Sequence, residues 1–297
     1  STRIAEELGL SPILSVQHHH AHIAAVAAEH GITDRVIGVA YDGTGYGDDG
    51  AVWGAEIMVA DLAGYERCCH LRYAPLPGGD VAVRQPWRSA LGYLSLDRSV
   101  GAAFVLAFRG IEQRERVLAE QQIERDLNAP LASSMGRLFD AAAAVLGTRL
   151  VSHYEGQAAM EFEAMAATEP VEPLPFPILD GAEGSMQLDP VPLLAALGEA
   201  VLRGDDVRQL AGRFHESVAT ATCEVVRRLR DSTGITTVAL SGGVFQNARL
   251  LASVSRRLSD AGFNVLVPRL LSPNDGAISY GQAAVAAALL ARGEIQK

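Results

Sequence analysis

Four of the chain's eight histidines fall within five positions, His18-His19-His20-Ala21-His22. On a helix, His18 and His22 stand four residues apart on one face, and that spacing lets two imidazoles reach one metal ion. His19 aligns with Ile23 and Val26 and is expected to face the core, while His20 falls on a third face with Ala24. The plain alternative is a polar helix start whose histidines cap or hydrogen-bond. Two aspartates could complete a mixed nitrogen and oxygen set. Asp42 ends the apolar run Val36–Tyr41, and Asp275 follows Ser272-Pro273-Asn274 at the start of the last helical pattern. Such a set suits Fe(II), Zn(II) or Mn(II). Asp275 has an ordinary alternative as the N-cap of that helix.

Asp42 also opens the loop Asp42-Gly43-Thr44-Gly45-Tyr46-Gly47. Glycines let backbone N–H groups close on phosphate oxygens with no Cβ in the way. A dinucleotide fingerprint needs a helix next. Here a strand follows, so the pattern is a strand–glycine loop–strand hairpin, the device by which actin-like ATPases hold phosphates; the alternative is a plain hairpin turn. Leu240-Ser241-Gly242-Gly243-Val244-Phe245-Gln246-Asn247 runs from a strand end into a helix start, where free N–H groups and the positive dipole end are available to an anion or nucleotide; the alternative is an ordinary tight Gly-Gly turn. Asn247 could reach a base or ribose from there. Asp140 sits in the apolar helical segment after Met135-Gly136-Arg137 and needs a partner, for which a ribose diol and Arg137 are the two candidates.

The elements that must position these residues can be read from the periodicity. Residues 1–10 read as a helix stopped by Pro12, and Ile13–Val16 as a short buried strand. A helix is expected from His18 to His30, ended by Gly31, then a hairpin over 36–60. The stretch from Trp87 to Leu127 reads as helical. Ser134 caps a helix to Leu146, and another covers Gln157–Ala167. Residues 168–190, rich in Pro and Glu, read as an exposed loop or short hairpin. Helices over 190–202 and 205–230 precede a strand–helix–strand–helix ending, Thr237–Leu240, 244–260, Phe263–Val267 and 276–292, which implies a parallel pair in an α/β sheet.

Bulk composition narrows the function classes. The 297 residues suit one large domain or two lobes sharing a cleft. A net charge of −10 argues against a nucleic-acid-binding face, which needs clustered Lys and Arg. The only lysine is Lys297, so a Walker A lysine, a Schiff-base lysine and a lysine base are excluded from the body of the chain. Cys68, Cys69 and Cys223 form no Cys-x-x-Cys, and a reducing cytosol is the expected compartment. No signal peptide and no membrane-length apolar run is read. The chain opens at Ser1 in mid-helix pattern, which reads as a boundary inside a longer protein.

Taken as a set, these motifs resemble the HypF family of hydrogenase-maturation carbamoyltransferases. The residues that carry the likeness are His18-His19-His20-Ala21-His22, Asp42–Gly47 with Trp53-Gly54, Ser134–Ala141, Tyr154-Glu155-Gly156-Gln157-Ala158-Ala159, Ser241–Asn247 and Ser272–Ala277. The threonylcarbamoyl transferases of tRNA and the antibiotic O-carbamoyltransferases share the domain type but not the Ser-Met-Gly-Arg and Tyr-Glu-Gly-Gln wording. The resemblance implies an α/β, actin-like ATPase fold (ASKHA) with two lobes around a nucleotide and metal cleft, the first lobe truncated. Residues 1–35 would be the remnant of that lobe, and 36–297 the carbamoyltransferase core with a helical insertion over about 85–130. In such a fold the strand ends carrying Asp42 and Asp275 come from the two lobes.

The same resemblance makes His18, His22, Asp42 and Asp275 ligands of a divalent metal, iron or zinc, with magnesium as a further candidate. It places Gly43, Thr44 and Gly45 near phosphate, Asp140, Gly156 and Glu161 at the ribose, and Gly242, Gly243 and Asn247 on the adenosine side. The nucleotide would be ATP or AMP as carbamoyl-adenylate. The acceptor would be the C-terminal cysteine of HypE, so no cysteine of this chain need react. Further implied partners are upstream YrdC-like and acylphosphatase domains of the same protein. The rival readings are transfer to a small-molecule hydroxyl and a non-catalytic actin-like nucleotide-binding module.

Overall fold

The computed structural model describes residues 4, 7–9, 13–181 and 185–295. Helix α1 (His18–Glu29) is capped by Gln17, whose side chain accepts the His20 N–H, and Gly31 at φ +68° turns the chain out of it. Strands β1 (Val36–Tyr46) and β2 (Val52–Ala60) form the expected antiparallel hairpin. A register shift between Tyr41 and Gly45 lets β1 run through the glycine loop, longer than the apolar run alone suggests. After β3 (Tyr65–Leu71) and β4 (Ala74–Pro75), the region read as one helical stretch is broken up. Helix α2 (Asp80–Arg84) precedes it, and the stretch itself holds α3 (Pro86–Leu96), a 3₁₀ segment Arg98–Phe108 and α4 (Gln113–Glu124). The physical reasons are local. Asp97 accepts the Ser99 N–H and restarts the chain, and Gly110 at φ +77° ends the 3₁₀ turn.

Strand β5 (Leu131–Ser134) leads into α5 (Met135–Val145), with the Ser134 hydroxyl accepting the Arg137 N–H as cap. Then come α6 (Gln157–Met165), the short hairpin β6 (Ile178–Asp180) and β7 (Met186–Leu188), α7 (Pro190–Leu202) and α8 (Val207–Thr233). The chain closes with β8 (Thr237–Ser241), α9 (Ala248–Asp260), β9 (Asn264–Leu266) and α10 (Ile278–Arg292).

The strands among the described residues form one sheet ordered β6-β7-β3-β2-β1-β8-β9, with β5 against β2 and β4. β1, β8 and β9 are parallel neighbours, as the alternating ending implies. Side-chain alternation along β1 feeds two cores. Ile37, Val39 and Tyr41 join the larger one with α5, α7 and α8, while Val36 and Ala40 join Ile23 and Val26 of α1. Phe139, Phe162 and Phe214 lock α5, α6 and α8 together edge to face.

Two expectations are corrected. Ile13–Val16 form no strand; they pair with no other strand among the described residues, and Ile13 and Leu14 stay exposed. Asp42 and Asp275 do not come from opposite lobes, because β1, which carries Asp42, and β9, the strand that precedes the Asp275 turn, lie in one sheet. Of the helix read over residues 1–10, one turn is described, with the Leu8 N–H donating to Ile4 O, and the rest lies outside the described residues, as does the stop at Pro12. No helix among the described residues is long and apolar enough to cross a membrane.

Candidate metal centre

α1 packs across the C-terminal end of the parallel strands, where Asp42 on β1 and the 3₁₀ turn Asp275–Ala277 meet it. His18 Nε2 and His22 Nε2 point at the same carboxylate oxygen, Asp42 Oδ2, at 3.1 and 3.2 Å. Both also approach Asp275 Oδ1, at 3.4 and 3.5 Å. One ligand atom from each of the four residues lies within 4.8 Å of the others. The N-cap role that offered the plain reading of Asp275 belongs instead to Asn274, whose side chain accepts the Gly276 N–H. Asp275 is left 70% exposed and turned toward the histidines.

The electrostatics fit a cation. Two carboxylates and two imidazole nitrogens this close present lone pairs to one another unless a proton or a metal comes between them. Burial lowers the pKa of His22, but hydrogen bonds to Asp275 and Asp42 outweigh it and raise it above its ordinary value. Burial works to raise Asp42, yet His18 and His22 hold its carboxyl well below the usual carboxylate range. His22 Nδ1 is buried with no hydrogen-bond partner among the described residues.

His19 and His20 leave this cluster, as their faces require. His19 is buried and driven down to about 3, by desolvation first and then by the neighbouring His18. His20 lies near the Tyr65 ring, and its Nε2 donates to the Asp61 carbonyl at 2.7 Å.

The residues expected around a nucleotide are placed as follows. Gly43 N–H and Gly243 N–H both donate to Asp42 Oδ1, at 2.8 and 3.3 Å, so the glycine loop and the β8 turn are tied through one carboxylate. Thr44 is exposed, and a Cβ at Gly45 would lie 2.5 Å from His19 Cε1. Gly242 takes φ +100° against the Tyr41 carbonyl, a conformation and a closeness that exclude other residues. Asn247 is engaged: its Oδ1 caps α9 at the Leu250 N–H, and its Nδ2 donates to His215 Nε2 at 3.0 Å. Glu161 makes a two-pronged pair with Arg149 at 2.8 and 2.7 Å, and Gly156 at φ +77° starts α6. Asp140 is 2% exposed, and the partner it meets is Arg137, 3.0 Å away.

Sequence reading missed the pair beneath the loop. Glu56, fully buried in β2, accepts the N–H groups of Gly54 and Ala55 and the Ser133 hydroxyl, and its other oxygen meets Arg67 Nε at 2.5 Å. The Arg67 guanidinium lies 3.8 Å over the Trp53 ring. One charged residue inside Val52-Trp53-Gly54-Ala55-Glu56-Ile57-Met58-Val59 was the available signal.

The family described as "Carbamoyltransferase, Kae1-like Domain, second subdomain" matches residues 38–282, and the "HypF Kae1-like domain" matches residues 1–29. The chain belongs to the HypF carbamoyltransferase family. The carbamoyltransferase HypF2 of Cupriavidus necator is 40% identical over 96% of this chain. A HypF homolog of the same organism is 40% identical over 97% of this chain and 75% of its own length. The crystal structure of full-length HypF in the phosphate- and nucleotide-bound form superposes with TM-score 0.92 and 43% identity over 97% of this chain. The chain spans 38% of HypF2 and 45% of that full-length structure. The fold is thus the Kae1-like, actin-like ATPase fold that the motifs implied.

Proposed function

We propose that this chain is the carbamoyl-transfer part of a HypF-type enzyme, binding carbamoyl-adenylate and passing its carbamoyl group to the C-terminal cysteine of HypE for the cyanide ligands of nickel–iron hydrogenase. The observation that carries this reading is the convergence of His18, His22, Asp42 and Asp275 in a chain of the HypF family. Those four residues would hold a divalent iron or zinc ion, which when bound supplies a Lewis acid for a carbonyl or phosphate oxygen. Gly43, Thr44 and Gly45 would lie along the phosphate, Gly156 and Glu161 toward the ribose, and Gly242, Gly243 and Asn247 toward the adenosine side. The nucleotide-bound state of a full-length relative supports nucleotide binding within this family.

The chemistry balances with groups outside this chain. The acceptor thiolate attacks the carbamoyl carbon, the bond from that carbon to the phosphate oxygen breaks, and AMP leaves with the electron pair. The thiol proton goes to solvent. The chain's free thiols suit a spectator role, since burial raises the pKa of Cys68, Cys69 and Cys223 and keeps them protonated. Carbamoyl-adenylate would come from the upstream domains of a longer protein.

The test incubates the chain with radiolabelled carbamoyl-adenylate, a HypE tail peptide and an aminoglycoside. Label appearing on the peptide thiol as a thiocarbamate is expected. Label on the aminoglycoside hydroxyl, or on neither acceptor, contradicts the assignment.

A further inference from the structure

Beside the metal cluster, the sheet end is bare of side chains. Gly43 follows Asp42 on β1, and Gly242 and Gly243 follow β8. Alternation turns Asp42 toward α1 and Gly43 toward α5, so a ligand reaching from the metal to the opposite face must cross Gly43. Among the described residues, one heavy atom stands within 4 Å of where a Cβ on Gly43 would be: Arg137 Nη2, at 3.9 Å.

Arg137 is a buried cation whose charge is only partly answered. It is 4% exposed. Its Nε lies 3.0 Å from Asp140 Oδ2, yet Nε, Nη1 and that oxygen make no hydrogen bond among the described residues. A guanidinium offers five N–H donors, and burying them unused is costly. The start of α5 aims at the same space. Gly136 lies so close to the loop that a Cβ there would be 2.8 Å from Gly43 Cα, and the Ser134 hydroxyl donates to Gly43 O at 2.6 Å. The positive end of the α5 dipole and a buried guanidinium therefore converge over a glycine.

We propose that Arg137 binds a phosphoryl oxygen of the nucleotide, crossing from the metal face to the α5 face over Gly43, with Asp140 orienting the guanidinium rather than meeting the ribose. This rests on the nucleotide reading above. It gives the guanidinium edge of Nη2, which faces Gly43, and the unpaired Nη1 an acceptor, and it gives the phosphate a cation that no lysine of the chain's body could supply.

The test is calorimetric titration of the chain with AMP and with adenosine, in zinc-containing buffer, for wild type, Arg137→Gln and Arg137→Lys. Wild type is expected to prefer AMP. Arg137→Gln should lose about 10- to 100-fold in AMP affinity with adenosine unchanged, the size of one charge-assisted contact, and Arg137→Lys should recover part of it. Should Arg137→Gln fail to fold, Arg137→Met with Asp140→Asn removes both charges and carries the same comparison. A variant that keeps the wild-type preference for AMP overturns the proposal while leaving nucleotide binding intact. Wild type binding neither compound overturns the nucleotide reading and this inference with it.

Discussion

The four histidines at the start of α1 do not matter equally to the cluster, and their faces make the distinction testable. His22 is buried and faces both carboxylates, whereas His20, two residues earlier, spends its Nε2 on the Asp61 carbonyl. Alanine at His18, His22 or Asp275 is therefore expected to reduce bound metal to background and abolish transfer. Alanine at His20 should leave metal content largely intact and cost only the stability of one buried hydrogen bond, about 1–3 kcal/mol. Elemental analysis with thermal melts separates the two outcomes.

His215 gives a second residue-scale prediction, away from the metal. It is buried among Phe139, Phe162 and Phe214, donates from Nδ1 to the Ala211 carbonyl at 2.7 Å and accepts from Asn247 at Nε2. Burial lowers its pKa to about 4 from an ordinary 6.5. The unfolded chain thus binds the proton more readily than the folded one between those values. Stability from this residue is full above pH 6.5 and is lost as pH falls toward 4, about 3 kcal/mol in all. In His215→Gln the drop in urea midpoint between neutral pH and pH 4 should shrink; an unchanged drop would assign the acid sensitivity elsewhere.

At the scale of elements, the candidate metal centre depends on α1 and α10 lying in contact. Gly281 makes that possible, since a Cβ there would stand 2.0 Å from the Ala21 carbonyl oxygen. Gly281→Ala must push α10 away, and the turn carrying Asp275 lies just before that helix. A loss of about 1–3 kcal/mol in stability is expected, together with weaker zinc binding. Weaker stability with unchanged zinc affinity would show that the Asp275 turn is positioned independently of α10.

Across the whole molecule, what the sequence revealed was mostly local. The histidine face needs only 3.6-residue geometry, and Gly31, Ser134 and Gly147 mark helix ends by caps and positive φ. The 36–60 hairpin and the parallel ending were legible from period and order. What was not legible depends on pairing between distant segments. β5 joins β2, and β7 joins β3, through registers that no local pattern fixes. The meeting of Asp42, on β1, with the Asp275 turn, which follows β9, depends likewise on the pairing of β1, β8 and β9 and not on their own neighbours. Asp140 was left with two candidate partners because only packing shows that its helix is buried all round.

Everything proposed for this chain turns on His18, His22, Asp42 and Asp275 holding one metal ion. The most direct measurement is an anomalous difference map from crystals of the chain grown with zinc. One strong peak is expected within ligand distance of His18 Nε2, His22 Nε2, Asp42 Oδ2 and Asp275 Oδ1. A peak bound elsewhere, or histidine rings turned away from both aspartates with no peak between them, would contradict it.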